Sequence, residues 1–112
     1  MTSTRQNKVA RLIQRDLSDV FQKESDNFKG ALVSVTVVRV SPDLSFAKVY
    51  VSIFVPGNGS KDEVFEHLKL QTKKIRSLLA QRVGKQLRII PELAFFVDDS
   101  LDYEQRIEEL LR

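Results

Sequence analysis

Two valine-rich runs separated by a five-residue turn set the strongest limit on what this chain can become. Residues 31–40 read ALVSVTVVRV and residues 46–55 read FAKVYVSIFV, with Ser41-Pro42-Asp43-Leu44-Ser45 between them. β-Branched residues at this density favour strands. The turn supplies a fixed φ through Pro42 and a side-chain acceptor through Asp43. The second run alternates, Ala47, Val49, Val51, Ile53 and Val55 against Lys48, Tyr50, Ser52 and Phe54, which predicts a strand with one face on a core. The first run is apolar in both phases, Leu32, Val38 and Val40 in one and Val33, Val35 and Val37 in the other. That is the pattern of a strand with neighbours on both sides, so the first run is expected at the centre of the sheet.

An antiparallel hairpin needs cover for its inner face, and the flanking segments have the periods to supply it. Over residues 5–21, Val9, Leu12, Ile13, Leu17, Val20 and Phe21 keep the spacing of an amphipathic helix. Residues 23–30 have no sustained period and read as a loop. Ser60 with Glu63 forms a capping-box signature that opens a second helix. From there Val64, Phe65, Leu68, Thr72, Ile75, Leu78, Leu79 and Val83 hold one phase as far as Gly84, where the helix should stop. Pro91 cannot donate to a ladder, so a third strand should begin after it or lie at an edge, with Leu93, Phe95 and Val97 in one phase. Asp99 or Ser100 can cap a last helix over residues 101–111, with Ile107, Leu110 and Leu111 inward. The order is helix, strand, strand, long helix, strand, helix: an α+β fold with a three-stranded mixed sheet of order 2-1-3 and helices on one face.

At 112 residues the chain is long enough for one core and too short for two. It has no Cys, which excludes disulfides, thiolate metal sites and cysteine nucleophiles and fits a reducing compartment. No apolar run reaches membrane-spanning length. The N-terminus is basic and amphipathic in the manner of a transit peptide, but Asp16 and Asp19 on the same pattern favour an ordinary helix, and a soluble cytoplasmic protein is expected. Enzyme chemistry has little to work with. His67 is the only His, Glu63 with His67 at helical spacing is a weak metal pair, and Asp98, Asp99 and Asp102 lack the spacing of a calcium loop. Gly57-Asn58-Gly59 lacks the Lys-Ser/Thr of a phosphate-cradling loop. No catalytic residue, metal site or cofactor is expected.

Charge is distributed unevenly. Residues 1–96 hold 16 Lys and Arg against 9 Asp and Glu, whereas residues 97–112 hold 2 against 6. A basic body favours a polyanionic partner, because neutralising phosphates releases counterions; a mixed solvated surface is the plain alternative. Arg5, Lys8, Arg11 and Arg15 form a stripe beside the apolar face of the first helix. Lys73, Lys74 and Arg76 lie on the long helix, and Arg82, Lys85 and Arg88 follow at its end. Arg5, Lys8, Arg11, Lys73, Lys74, Arg76, Arg82, Lys85 and Arg88 are the residues expected to meet the phosphates of such a partner, and they become RNA-binding residues only under the resemblance that follows. Among the aromatics, Phe95 and Phe96 are both expected in the core, and Tyr50 and Phe54 on the outward face of the second strand.

Several stretches resemble the bacterial ribosome-binding factor A family. They are Gln6-Asn7-Lys8-Val9-Ala10 with Leu17, Val35 with Ser41-Pro42-Asp43-Leu44-Ser45, Ala47-Lys48-Val49-Tyr50-Val51, and Ile75-Arg76-Ser77-Leu78-Leu79. Most specific is Leu87-Arg88-Ile89-Ile90-Pro91-Glu92-Leu93 followed by Phe95-Phe96, Asp98 and Ser100. The resemblance spans nearly the whole chain. It implies a type II KH-like fold with a kinked long helix, residues 1–112 forming a single KH-like RNA-binding domain. It implies a monomeric cytoplasmic factor that binds the immature 30S subunit and its 16S rRNA and assists late maturation and rRNA processing, notably in the cold. Ribosomal proteins or an assembly GTPase would be further partners of the acidic tail under a second reading, a protein docking module. A third is a generic KH-type nucleic-acid-binding protein. KH domains grip nucleotides with a GXXG loop; the matching stretch here is Gln71-Thr72-Lys73-Lys74, without Gly or Ala, and the unbroken apolar phase predicts a gentle bend.

Overall fold

The computed structural model describes residues 3–28, 30–57 and 59–98. Helix α1 (Thr4–Lys23) leads through a 3-10 turn (Ser25–Phe28) into β1 (Leu32–Val40) and β2 (Phe46–Phe54). Helices α2 (Lys61–Leu70) and α3 (Thr72–Val83) follow, and β3 (Glu92–Val97) closes the sheet. The helix expected over residues 101–111 lies outside the described residues. An α+β fold with a three-stranded mixed sheet is therefore present, and the helices cover one face of it.

Helix α1 starts at Thr4, close to the expected boundary, and Ser3 caps it. Ser3 Oγ accepts from the Gln6 backbone N–H while the Gln6 side chain accepts from the Ser3 N–H, a complete capping box. The loop expected over residues 23–30 is largely the 3-10 turn, and it serves packing: Phe28 is almost fully buried and meets Phe21 edge to face at 5.9 Å.

The sheet order corrects the sequence expectation. It is β1-β2-β3, with β2 central, not β1. Strand β1 pairs antiparallel with β2, and β3 pairs parallel with β2 on its other side. A crossover of two helices between β2 and β3 is what a parallel neighbour requires. The misleading signal was in β1 itself, whose register shifts between Val35 and Val37. A bulge at Thr36 inserts one residue, and the side-chain alternation changes phase across it. Val33 and Val35 before the bulge and Val38 and Val40 after it therefore all face the core, while Val37 is turned out. What reads as a strand apolar on both faces is a one-faced strand with a phase change. Burial ranks the strands accordingly: Ala47, Val49 and Val51 of β2 are 0% exposed, against 6–9% for the inward valines of β1.

The expected gentle bend is an interruption. Gln71, with φ −92° and ψ 6°, closes α2 and opens α3. The Thr72 hydroxyl donates to Lys69 O at 2.8 Å, back-bonding to the end of α2. Gln71 is also held from outside, because its Oε1 accepts from Asn27 Nδ2 at 3.2 Å and Asn27 Oδ1 lies 3.1 Å from His67 Nε2. Val64 and Leu68 before the break and Ile75, Leu79 and Val83 after it remain buried in the same core, so the apolar phase carries no trace of it. Gly84 caps the end of α3, and the position suits glycine for a steric reason: a Cβ there would come within 2.8 Å of Ala80 O.

Candidate nucleic-acid interface

The hairpin turn and the end of α3 converge on the N-terminal half of α1. In the turn, Asp43 Oδ1 accepts from Ser41 Oγ at 2.7 Å, from Ser45 Oγ at 2.8 Å and from the Ser45 N–H at 3.1 Å. These bonds, the Ser41 hydroxyl foremost, hold the Asp43 carboxyl below its ordinary value of 3.8. The turn leaves Leu44 at φ 63°, the left-handed region that a Leu side chain seldom occupies. On the other side, Gln86 and Leu87 fold back on α3 by donating their N–H groups to Val83 O at 2.8 and 2.9 Å.

Between these elements lies a cavity of about 870 Å³. Arg5, Lys8, Arg11, Arg15 and Arg88 surround it, and Val9, Leu12, Leu44, Leu87 and Ile89 line its apolar part. Arg5, Lys8, Arg11 and Arg88 are exposed and make no ion pair among the described residues. Arg15 lies 3.4 Å from Asp16 with its side chain 70% exposed, a contact that leaves the guanidinium mostly to solvent. The one carboxylate at the cavity, Asp43, is occupied by its own turn. The site is a cation ring on an apolar floor, and such a surface can hold phosphates with little internal competition.

The structure divides the nine expected RNA-binding residues. Arg5, Lys8, Arg11 and Arg88 come together at this cavity, and Lys85 is exposed one residue before Gln86 on its rim. Arg76 serves the fold: it donates from Nε to Pro91 O at 3.0 Å and from Nη2 to Ile90 O at 2.6 Å, pinning the entry to β3. Arg82 bridges α3 to α1 through Asp16 at 3.3 Å and through Asp19. Lys74 reaches Glu24 at 3.4 Å, and Lys73 is exposed beside it on the first turn of α3, away from the cavity. Helical spacing places Arg76 and Arg82 among the cations but cannot show that carbonyls and carboxylates from other elements already take them.

The outer face of the sheet carries a second group of exposed side chains. Tyr50 and Phe96 stack at 5.5 Å, and Phe54, Leu32 and Phe46 are exposed around them. Phe96 is 41% exposed, which corrects the expectation that Phe95 and Phe96 are both core; Phe95 alone is buried, edge to face with Phe21. Tyr50 and Phe54 do lie on the outward face. His67 is engaged by Asn27 and Phe28. Asp98 accepts from Thr36 Oγ1 at 2.7 Å; Asp99 and Asp102 lie outside the described residues. Leu44 and Ile89, which line the cavity, are not among the residues expected from the sequence to meet a partner, because charge was the signal that selected those.

Comparison with known proteins agrees over nearly the whole length. The family model described as "Ribosome-binding factor A" matches residues 5–111. A relative of that name from Cytophaga hutchinsonii is 46% identical over 112 residues, 99% of this chain and 83% of its own. One from Prosthecochloris aestuarii is 44% identical over 113 residues, covering 98% and 88%. Among solved structures, the crystal structure of ribosome-binding factor A from Thermus thermophilus superimposes with a TM-score of 0.68 at 26% identity, covering 82% of this chain and 94% of that one. The Thermus thermophilus homology model fitted into the cryo-EM map of a 30S complex gives a TM-score of 0.61 at 29% identity, over 79% and 89%.

Proposed function

The chain belongs to the ribosome-binding factor A family, and from that premise we propose that it binds the 16S rRNA of the immature 30S subunit through the cavity between α1, the hairpin turn and the residues after α3. In this reading it is a non-catalytic cytoplasmic factor for late subunit maturation and rRNA processing, of most consequence in the cold, and residues 1–112 act as one RNA-binding domain. The observation that carries the proposal is the convergence of Arg5, Lys8, Arg11, Arg15 and Arg88 on one cavity whose one carboxylate among the described residues, Asp43, is engaged by its own turn. The 30S complex described for the Thermus thermophilus relative supports the choice of polyanion.

Reversing Arg5, Lys8, Arg11 and Arg88 to Glu together should abolish cosedimentation with immature small subunits and leave the melting temperature within a few degrees. Neutralising them to Gln should flatten the salt dependence of RNA binding by roughly 0.7–0.9 for each phosphate no longer neutralised. The same reversal at Lys73 and Lys74 should weaken binding much less. Unchanged association after the first reversal would refute the assignment.

A further inference from the structure

Phosphate binding accounts for the cations at this cavity and leaves its floor unexplained. Ile89 is 64% exposed there, and Leu44, Leu12 and Leu87 line the same cavity as the cations. Leu44 is the telling residue. Its backbone is the only non-glycine at positive φ among the described residues, a conformation that Asn or Gly adopts at lower cost. Its side chain also packs on the rim of the core, but only in part. Strain of this kind persists where the position has a use for the side chain. The turn around it is built to hold it, through the three hydrogen bonds that Asp43 accepts and the bond from the Leu44 N–H to Ser41 O at 2.9 Å.

Resting on the rRNA reading above, we infer that the cavity receives one unpaired nucleotide, its base laid on Leu12, Leu44, Leu87 and Ile89 and its flanking phosphates held by the arginines and lysine of the rim. The volume of about 870 Å³ falls in the range of roughly 300–1,000 Å³ that small-molecule sites occupy. A base in a duplex is stacked between its neighbours and cannot reach such a floor without being extruded, so the site selects single-stranded or bulged RNA. Base contact with side-chain faces tolerates any sequence, and the side chains of Leu12, Leu44, Leu87 and Ile89 offer no donor or acceptor to select one base over another. This site lies past the C-terminal end of α3, and the interruption at Gln71, where a KH domain places its GXXG loop, lies at the other end of that helix.

The test measures binding of the full chain to a short oligouridylate strand, to a duplex of equal length and to the same single strand carrying abasic sites. Leu44→Asn and Ile89→Ser are compared with the unmodified chain. Leu44→Asn should keep or raise the melting temperature, because it relieves the left-handed backbone, yet weaken single-strand binding about tenfold with the salt slope unchanged. Ile89→Ser, at an exposed position, should do the same without touching stability. The abasic strand should bind the unmodified chain as weakly as the intact strand binds the variants. Equal binding of intact and abasic strands, or no loss in Ile89→Ser, overturns the inference and leaves a phosphate-only surface. If the unmodified chain binds none of the three RNAs at low salt, the rRNA reading itself fails.

Discussion

Individual side chains in this protein are divided between those that bind the fold together and those left exposed at the cavity, and charge alone does not tell them apart. Arg82 and Arg88 are six positions apart and equally cationic, but Arg82 sits against Asp16, a carboxylate only 7% exposed, while Arg88 faces the open cavity. Removing Arg82 leaves the nearly buried Asp16 carboxylate with only the mostly exposed Arg15 guanidinium, 3.4 Å away. Arg82→Ala should therefore cost about 1–3 kcal/mol of unfolding free energy in urea and change RNA affinity little. Arg88→Ala should do the opposite. At the turn, the lowered carboxyl of Asp43 gives a pH dependence of definite sign. Its hydrogen bonds stabilise the folded chain fully above the ordinary value of 3.8, and the contribution is lost as pH falls through the lower folded value. The melting-temperature difference between the unmodified chain and Asp43→Ala should thus be constant from neutral pH to about 4 and shrink below it. A difference that grew on acidification would contradict that account.

At the scale of elements, what the sequence made legible was what repeats. Helical spacing located α1 and the span of α2 and α3, which it ran together as one long helix, alternation located β2, and Pro91 placed β3 after itself, where it starts at Glu92. Single-residue irregularities were hidden, because each leaves the pattern on either side intact. The bulge at Thr36 moved the apolar phase of β1 and thereby misplaced the strand in the sheet. The stop at Gln71 left the apolar phase of the two helices continuous. Contacts between elements were illegible for a different reason. Nothing local to α3 signals that Arg76 will meet the carbonyls of Ile90 and Pro91. The end of α3 gives a sharp check on how local geometry overrides propensity. Alanine is the better helix former, yet Gly84→Ala brings a Cβ within 2.8 Å of Ala80 O. That substitution should lower stability by about 1 kcal/mol in chemical denaturation, against the gain that propensity alone would forecast.

On the scale of the whole molecule, helices cover one face of the sheet, and the described residues leave the other face exposed with Leu32, Phe54 and the Tyr50–Phe96 stack upon it. No helix among the described residues is long and apolar enough to cross a membrane. The exposed side chains contribute little to the core, so Leu32→Ser with Phe54→Ser should shift the unfolding free energy by less than about 1 kcal/mol. It should also reduce the fluorescence of a hydrophobic dye bound to the native chain. A loss of several kcal/mol would mean that this face is packed in solution. The cation ring is separate from that face, being assembled from α1, the hairpin turn and the residues following α3, so damage to one should leave the other intact.

The bulge in β1 has a consequence for how this chain compares with others. A strand is an odd–even code, and Thr36 is a single extra symbol after which the code is read with inverted parity. Deleting that symbol restores a strictly alternating word in which Val33, Val35, Val38 and Val40 keep their places on the core. Chains differing by one residue here can thus share a fold while their alternation patterns disagree, and aligning them on parity would pair inward residues with outward ones.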